Sequence, residues 1–336
     1  MSVIFDKKNI LVIGGAGFIG SNLCDELIKE SKVICVDNFS SSTPKNIDHL
    51  LSDPNFVLIN HDMSQPLDLE SLDELDKFKI PFQGIQEVYN LACPMSSKNF
   101  LKNRESILLA NSYVVKNVLD ITLKYSSKLL HFSSSVVYGA RPTSDKIIKV
   151  REDNLGQIDI SSERSCYDEG KRFAEVFINT YNQIFNLDAK IIRTFRVYGP
   201  RMTLGDEQML SDFISDALNG DDLIIYGDKE FSSSLCYVDD IIDAAIKVIS
   251  SDVKGPFNVG SEEDVKLYDV AQKVIKLTDS KSKIVFDDSK VFMTQLNIPD
   301  TYKIRNELGW MPVVTLENGL KKTILDLKAN RQNLNF

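Results

Sequence analysis

The chain has 336 residues, of which 43% are hydrophobic and 26% are charged, a composition typical of a globular protein with one large domain or two unequal ones. Its formal net charge of -9 argues against nucleic acid and anionic membranes as partners over a broad surface. No stretch reaches the roughly 20 apolar residues that a membrane span needs, so we expect a cytoplasmic protein without membrane contacts. An anionic substrate would have to be bound by a few locally placed arginines.

The cysteines and histidines indicate neither a disulfide framework nor a metal site. Five cysteines are scattered without CxxC spacing, and the three histidines form no HxxxH array. Reduced, buried thiols in a cytosolic chain explain this pattern, and we predict no structural metal.

Apolar runs and helical segments alternate along the first half of the chain. The run "NILVI" ends in glycines, helical spacing begins near Phe18, and "KVICVDN" is the next buried strand. The alternation continues through the strands "FVLINHD", "EVYNLAC", "KLLHFSS" and "AKIIRTF", with helices predicted over about 101–124 and 168–186. This order predicts an α/β fold with a Rossmann-like, doubly wound parallel sheet, because parallel neighbours need crossover connections.

The second half of the chain has a looser pattern. A helix over "EQMLSDFISDALNG" ends at Gly220, the strand "DLIIYG" follows, and "YVDDIIDAAIKVISS" predicts another helix. We expect residues 1–195, with about 235–258, to form the nucleotide-binding Rossmann domain. Residues 196–234 and 259–336 would form a smaller C-terminal α/β lobe that binds substrate.

A glycine-rich turn joins the first strand to the first helix. Gly14, Gly17 and Gly20 have GxxGxxG spacing, in which the absent Cβ atoms allow a tight turn, a close approach to a pyrophosphate and close helix packing. The helix beginning near Phe18 would face the anion with free N–H groups. Asp37 ends the second strand, 23 residues after Gly14, close to the spacing of a carboxylate that binds an adenine ribose. These features together predict a dinucleotide site.

The surroundings of Asp37 favour NAD over NADP. Its carboxylate would repel a 2′-phosphate, and no arginine follows it in "NFSSSTPKN". Asp62, at the end of the third strand, either lies near the adenine or caps its own strand. The predicted cofactor contacts are Gly14, Gly17, Phe18, Ile19, Asp37, Asn38, Asp62, Met63, Leu91, Ala92, Tyr167 and Lys171.

A tyrosine and a lysine form the candidate catalytic pair. Tyr167 and Lys171 have YxxxK spacing in "CYDEGKRFAE", and residues four apart share one face of a helix. A nearby ammonium and a positively charged nicotinamide would both favour the phenolate, which suits Tyr167 to act as a base. The motif is common by chance, but it gains weight beside a dinucleotide site and the hydroxyl-rich segment "HFSSS".

These motifs resemble the extended short-chain dehydrogenase/reductase family, in its branch of nucleotide-sugar epimerases and dehydratases. The resemblance runs nearly end to end, through "GGAGFIGSNL", "VDNF", "NHDM", "YNLACP", "SSSVVYG", "CYDEGKRFAE", "VYGPRM", "YVDD", "FNVGS" and "LGWMP". Within the branch, "RSCYDEGKRFAE", "INHDMSQPL" and "GPRM" are most similar to UDP-glucuronate decarboxylases.

The resemblance implies a role for each of three residues. Tyr167 would be the base, Lys171 would orient the tyrosine and the nicotinamide ribose, and Ser134 would hydrogen-bond the reacting hydroxyl. With NAD, these residues would oxidise C4 of a nucleotide-activated sugar to a 4-keto sugar. The family also implies a homodimer, formed through the helix after "NLACP" and the helix that carries Tyr167.

The sequence departs from the family pattern in "SSSVVYG". Val136 stands where the decarboxylases have a glutamate, and an isopropyl group cannot transfer protons or order a water. Acid–base steps that follow oxidation at C4 would lack their usual agent. Ser135 is expected to line the substrate wall beside it.

Further departures concern the substrate diphosphate. Ser233 and Asn297 replace two arginines that the family uses there, and losing charge-assisted contacts to a diphosphate is a large change. Arg196 replaces the asparagine of the family pattern "FNxxGPR". Either Arg196 and Arg201 together restore the missing positive charge, or Arg196 forms a salt bridge at the surface or between the lobes.

Three functions remain open from the sequence. The intact catalytic residues favour oxidation at C4 by a nucleotide-sugar 4-epimerase or 4-dehydrogenase. Overall similarity favours a UDP-glucuronate decarboxylase that forms UDP-xylose, which Val136 and Ser233 oppose. A non-catalytic NAD-binding sensor or scaffold would have no need of the YxxxK pair.

Overall fold

The computed structural model describes residues 7–95, 98–142, 149–204, 209–227, 229–287 and 295–332. Their strands are β1 (Asn9–Ile13), β2 (Lys32–Asp37), β3 (Phe56–Asn60), β4 (Glu87–Asn90), β5 (Lys128–Ser134), β6 (Lys149–Val150), β7 (Asp188–Thr194), β8 (Val197–Tyr198), β9 (Leu223–Tyr226), β10 (Ser232–Ser233), β11 (Cys236–Tyr237), β12 (Phe257–Val259), β13 (Val265–Lys266), β14 (Ile284–Asp287) and β15 (Ile298–Pro299). Their helices are α1 (Phe18–Leu27), α2 (Ile80–Gln83), α3 (Arg104–Ala110), α4 (Tyr113–Tyr125), α5 (Ser165–Phe185), α6 (Met209–Asn219), α7 (Val238–Ser250), α8 (Leu267–Thr278), α9 (Tyr302–Leu308) and α10 (Leu316–Gln332).

A seven-stranded sheet in the order β12-β7-β5-β4-β1-β2-β3 forms the centre of the molecule. Every neighbouring pair in it is parallel, which confirms the Rossmann-like, doubly wound fold. Alternate residues of β1 belong to two separate hydrophobic clusters, Ile10 and Val12 to one and Leu11 and Ile13 to the other, because successive side chains of a strand point to opposite faces. Both faces of the sheet are therefore covered.

The chain reverses direction across the sheet between β1 and β4, which is where ligands bind in open α/β folds. The register pairs Ile13 with Val36 on one side and with Asn90 on the other. The residues that follow β1, β2 and β4 therefore lie together at one edge of the sheet. This edge carries the predicted glycine turn and the predicted acidic residue.

The C-terminal part of the chain contributes to both the sheet and a smaller lobe. Strand β12 pairs with β7 as the seventh strand of the main sheet, and α7 contacts β5 and β7. These contacts support the prediction that residues of about 235–258 belong with the nucleotide-binding domain. Strand β9 pairs with β14, and α6 packs against α8. The domain limits themselves stay a prediction.

The helix predicted over about 101–124 is instead two helices, α3 and α4. The side chain of Asn111 donates a hydrogen bond to the carbonyl of Ile107 at 2.8 Å, and the Ser112 hydroxyl donates to the carbonyl of Leu108 at 2.6 Å. Such side chains compete with the regular backbone pattern, which explains the break. Helix α6 ends as predicted, with Gly220 after it at a φ of +80°.

Of the described helices, none is both long enough and apolar enough to cross a membrane. Nor do three or more histidine, cysteine, aspartate or glutamate side chains within the described ranges cluster as metal ligands do. The five cysteines form no disulfide with one another. The absence of a metal stays a prediction.

Candidate active site

The glycine turn after β1 has the shape that a dinucleotide requires. Gly14 has a φ of +78°, and a Cβ there would lie 2.9 Å from the backbone nitrogen of Ala92. A Cβ on Gly20 would lie 2.2 Å from the carbonyl oxygen of Gly14, so α1 can pack this closely only with glycine at that position. Gly17 is the residue before α1, and the first N–H groups of the helix face the cavity beside it.

Asp37 lies at the carboxyl end of β2 and is buried. Its carboxylate accepts hydrogen bonds from the backbone N–H groups of Ala16 and Phe39, both at 2.9 Å, and from the Ser42 hydroxyl at 2.7 Å. These three donors hold the side chain in one position. Because a carboxylate has about four acceptor sites, capacity remains for a ribose hydroxyl. The residues present fit the adenosine end of NAD.

A cavity of about 240 Å³ extends from Asp37 along the carboxyl ends of the strands. The predicted cofactor contacts on its wall are Gly14, Gly17, Asp37, Asn38, Asp62, Met63, Leu91 and Ala92. Asp62 accepts a hydrogen bond from the backbone N–H of Ser64 at 2.8 Å, and this bond is the main reason that the pKa of its carboxyl is lowered. Asp62 thus caps its own strand end and also faces the cavity.

A larger cavity of about 420 Å³ adjoins the first, and Gly14, Gly17 and Leu91 line both. Its wall also contains Phe18, Ile19, Ser134, Ser135, Val136, Tyr167 and Lys171. The structure therefore brings the predicted catalytic residues next to the glycine turn, although more than 100 residues separate them along the chain.

Tyr167 and Lys171 lie on the first two turns of α5, and both are buried. Burial raises the pKa of the Tyr167 phenol well above its ordinary value, although a hydrogen bond with Ser134 opposes the rise. Burial lowers the pKa of Lys171, whose ammonium donates to the carbonyl of Phe132 at 2.9 Å. Tyr167 is therefore protonated at neutral pH in this arrangement, and a positive charge brought next to it would favour the phenolate.

A buried polar network supports α5 from behind, and the sequence analysis did not predict it. The Glu175 carboxylate accepts from the Ser133 hydroxyl at 2.6 Å and from Nη2 of Arg193 at 2.7 Å. Nη1 of Arg193 donates to the Tyr138 hydroxyl at 2.8 Å, which donates in turn to Oδ1 of Asn258 at 2.6 Å. The sequence signal for this network was Arg193, a charged residue inside the apolar strand "AKIIRTF". The network joins α5, β5, β7 and β12.

Val136, which replaces the glutamate of the decarboxylase pattern, lies on the cavity wall. It is 3% exposed and packs with Ile107 and Tyr167 in one apolar cluster. It also lines the larger cavity. The wall beside Tyr167 is therefore apolar at Val136, which offers no proton donor or acceptor there.

Two arginines line the larger cavity, of which the sequence interpretation named only one. Burial, and then the charge of Arg164, lower the pKa of Arg196 to about 10. Arg164 precedes α5 and contacts Asp168 at 3.4 Å. Its presence in "RSCYDEGK", three residues before Tyr167, was the signal that could have identified it.

The other predicted substrate residues do not line the larger cavity. Nη2 of Arg201 forms an ion pair with Asp25 at 2.6 Å, so its charge already has a partner. Ser233 pairs with β13, and the Asn297 amide donates to the carbonyl of Gly139 at 3.2 Å. Arg164, and not Arg201, lines the larger cavity beside Arg196, and substrate contacts of Arg201, Ser233 and Asn297 stay predictions.

The model of the NAD dependent epimerase/dehydratase family matches residues 10–260 of the chain. The chain belongs to this family, and its cofactor is accordingly NAD. Similarity extends beyond the matched range and covers nearly the whole chain, as individual relatives show.

Among curated proteins, the chain is 34% identical to UDP-glucuronic acid decarboxylase 1 of Danio rerio, over 97% of this chain and 76% of the relative. Two solved structures resemble the fold closely. One is a UDP-glucose 4-epimerase from Thermotoga maritima with UDP-glucose, at 25% identity and a TM-score of 0.83, covering 96% of this chain and 99% of that one. The other is a UDP-glucuronic acid 4-epimerase from Bacillus cereus with UDP-glucuronic acid and NAD, at 28% identity and a TM-score of 0.81, with the same coverage of both chains.

Proposed function

We propose that this enzyme uses NAD to oxidise C4 of a nucleotide-activated sugar and ends the reaction as a 4-epimerase or 4-dehydrogenase. The observation that carries the proposal is the meeting of Ser134, Tyr167 and Lys171 in a cavity that continues into the glycine turn. Val136, on the same wall, offers no side chain for further acid–base steps. Return of the hydride to C4 needs no group beyond the catalytic three.

The positions of the side chains in one cavity support the following roles. Tyr167 takes the proton from the C4 hydroxyl, while the Ser134 hydroxyl holds the oxygen of that group. Lys171, fixed by the carbonyl of Phe132, places a positive charge that favours the phenolate. NAD, held along Gly14, Gly17 and Asp37, supplies the hydride acceptor when bound.

A second candidate is decarboxylation of UDP-glucuronate. The curated relatives named UDP-glucuronic acid decarboxylase favour it, and a β-keto acid can lose carbon dioxide without a strong acid. The apolar Val136 at the cavity wall weighs against it. A sensor that only binds NAD, the candidate from another class, is opposed by the complete set of catalytic side chains.

We propose further that the enzyme works in the cytoplasm as a homodimer. The five free cysteines are consistent with a reducing compartment. Phe173, Val176 and Ile184 on α5 and Tyr113 on α4 are 52%, 61%, 64% and 61% exposed, and apolar side chains exposed on two neighbouring helices fit a dimer interface. Light scattering should show a dimer for the unaltered protein and a monomer for Val176→Glu.

Product analysis of the purified, NAD-loaded protein tests the reaction. UDP-glucuronate, UDP-glucose, UDP-GlcNAc and GDP-mannose would each be incubated with the protein and with Tyr167→Phe. A C4 epimer, or stoichiometric NADH with a 4-keto sugar, supports the proposal. Carbon dioxide and a UDP-pentose would assign the decarboxylase instead. No product from any of the four nucleotides, with NAD bound, would contradict the proposal.

A further inference from the structure

The candidate catalytic side chains come from two elements, and their spacing depends on how those elements are held together. Ser134 ends β5, whereas Tyr167 and Lys171 lie on α5. Ser134 and Tyr167 share a hydrogen bond. The Lys171 ammonium donates to the carbonyl of Phe132 at 2.9 Å. The strand residues in these two contacts are the chain neighbours of Ser133, one on each side.

Glu175 makes a third contact between α5 and β5, one turn of helix after Lys171. Its Oε1 accepts from the Ser133 hydroxyl at 2.6 Å and from Nε of Arg193 at 3.0 Å, and its Oε2 accepts from Nη2 of Arg193 at 2.7 Å. The Glu175 and Arg193 side chains are only 8% and 12% exposed. A bidentate guanidinium therefore fixes the carboxylate, and the carboxylate in turn fixes the strand residue beside Ser134.

Arg193 is itself anchored away from the helix. Its Nη1 donates to the Tyr138 hydroxyl at 2.8 Å and to the backbone carbonyl of Glu152 at 2.9 Å. The backbone N–H of Asn258, on β12, donates to the Glu152 side chain at 2.8 Å. The position of Glu175 is thus determined by contacts that reach β7 and β12, and not by α5 alone.

Stability by itself is a weak reason for a buried ion pair at this place. Desolvation of two buried charges offsets most of their attraction, and apolar residues of similar volume are often as stabilising. Ala174 and Ile178, on the same helix, are fully buried in an apolar cluster, so an aliphatic side chain would suit the surroundings. What the carboxylate adds is a position defined by directed hydrogen bonds.

We infer that Glu175 is a positioning residue of the catalytic site, which acts through Ser133 to set the distance between the Ser134 hydroxyl and the Tyr167 phenol. Ser133 and Ser134 line the larger cavity, whereas Glu175 does not, so it acts from behind the reacting groups. The inference rests on the proposed function, because it assigns a role in the reaction of that cavity. A displacement of about 1 Å at a reacting group can lower a rate by about 10²-fold.

The spacing should also decide how readily Tyr167 loses its proton. Burial raises the pKa of its phenol, and the hydrogen bond with Ser134 opposes that rise, so a longer hydrogen bond raises the pKa further. The titratable and charged side chains that act on Tyr167 or Lys171 come from the segment after β4, from β5, and from α5 with the residue before it; they are Cys93, His131, Arg164, Asp168 and Glu175. Ser133→Ala leaves all of these groups in place, so a shifted pH profile in that variant reports geometry.

Steady-state kinetics of Ser133→Ala test the inference, on any nucleotide sugar that the NAD-loaded protein turns over. We expect kcat to fall about tenfold or more and KM to change by less than about threefold. The pH profile of kcat should move upward by about half a unit or more. Ser127→Ala is the matched control, because its hydroxyl is comparably buried and donates to the carbonyl of Ile85 at 2.8 Å near the other end of β5. It should leave kcat, KM and the pH profile unchanged.

Glu175→Gln is an independent variant that weakens the same contact from the helix. It should lower kcat without raising KM. The double variant Ser133→Ala/Glu175→Gln should lose no more than about twofold beyond the larger single loss, since both substitutions affect one contact. Losses that multiply would show that the two residues act separately, which contradicts the inference. A loss confined to KM would mean that Ser133 contacts the substrate, and it would overturn the inference as well.

Crystal structures of the NAD-loaded protein and of Ser133→Ala separate the inference from the proposed function. The distance from Oγ of Ser134 to Oη of Tyr167 should be longer in the variant by about 0.5 Å or more, and this measurement requires no turnover. Such a change in a protein that converts no nucleotide sugar would support the positioning role and overturn the proposed function. An unchanged distance would overturn the inference, even if the unaltered protein is active.

Discussion

On the cofactor side a glycine turn brings backbone to the cavity wall, whereas on the substrate side the wall includes side chains from separate segments. Gly14 has no room for a Cβ, and a Cβ on Gly17 would lie 3.3 Å from the carbonyl oxygen of Gly14. Val136, Arg164 and Arg196 come instead from a turn after β5, the start of α5 and the end of β7. A wall made of backbone tolerates little change in sequence, whereas a wall made of side chains can be rebuilt one residue at a time.

The largest effect is expected where the two sides meet. Tyr167→Phe removes the hydroxyl that we propose takes the proton, and it should lower kcat by about 10²- to 10⁴-fold on any accepted nucleotide sugar. Cofactor affinity should stay within about threefold, because the phenyl ring keeps the packing against Val136. Turnover assays and NAD titration by tryptophan fluorescence would measure both quantities. Wild-type kcat in this variant would contradict the role of Tyr167.

On the cofactor side, the addition of a single methyl group should strongly reduce the affinity for NAD. Gly14→Ala places a Cβ 2.9 Å from the backbone nitrogen of Ala92 and forces alanine into a φ of +78°, so NAD affinity should fall by about tenfold or more. Isothermal calorimetry with NAD would measure the loss. Gly220→Ala is the matched control, since it also has a positive φ but has no atom within 4 Å of its Cβ position. Equal effects of the two substitutions on NAD affinity would contradict the prediction.

On the substrate side, a single substitution at Val136 should change the product of the reaction. Val136→Glu supplies a carboxyl group to the cavity wall, and we expect carbon dioxide release from UDP-glucuronate to rise by about tenfold or more. The buried carboxyl should also lower the free energy of unfolding by about 1–3 kcal/mol. Product analysis and urea unfolding would measure the two effects, with Val136→Gln as the isosteric control that cannot donate a carboxylic proton. Equal carbon dioxide release from both variants would exclude acid catalysis at this position.

A smaller effect, on the free energy of unfolding, is expected from the contacts of Glu262 outside the cavity. The Glu262 carboxylate accepts from the backbone N–H of Thr301 at 2.8 Å and from its hydroxyl at 2.6 Å, and pairs with Lys149. Burial acts to raise the pKa of Glu262, but these partners outweigh burial and lower that pKa to about 2. A depressed carboxyl pKa stabilises the fold above the unfolded pKa, and the gain is lost as pH falls toward about 2. The side chain is 25% exposed, so we expect the gain to be only about 1 kcal/mol.

Urea unfolding between pH 7 and pH 2 would measure this contribution. Glu262→Gln should lower the free energy of unfolding at pH 7 and flatten its decline toward acid, because the substituted side chain cannot titrate. Glu263→Gln, at an adjacent residue that is exposed, is the control and should change neither quantity. A parallel decline in the protein and in Glu262→Gln would contradict the assignment.

Much of the fold and of the cofactor side could be predicted from the sequence, for a local reason. The glycine spacing, the apolar strands and Asp37 each act within about 30 residues of chain, where periodicity and backbone geometry decide the structure. The break between α3 and α4 escaped prediction, because it depends on which backbone carbonyls Asn111 and Ser112 reach. The ion pair of Arg201 with Asp25 also escaped prediction, since the two residues are 176 positions apart in the chain. Contacts of that kind follow only from the assembled sheet.

The late position of β12 in the chain has a consequence for synthesis. The glycine turn and α5 are complete by residue 185, yet β7 acquires its outer neighbour only at residues 257–259. A nascent chain of intermediate length therefore exposes the unpaired edge of a buried strand, the kind of surface that promotes association between chains. Truncation after residue 195 should give an aggregating fragment, whereas truncation after α10 leaves the edge covered. We therefore expect the chain to aggregate most readily during translation of the 60 or so residues that separate the two strands.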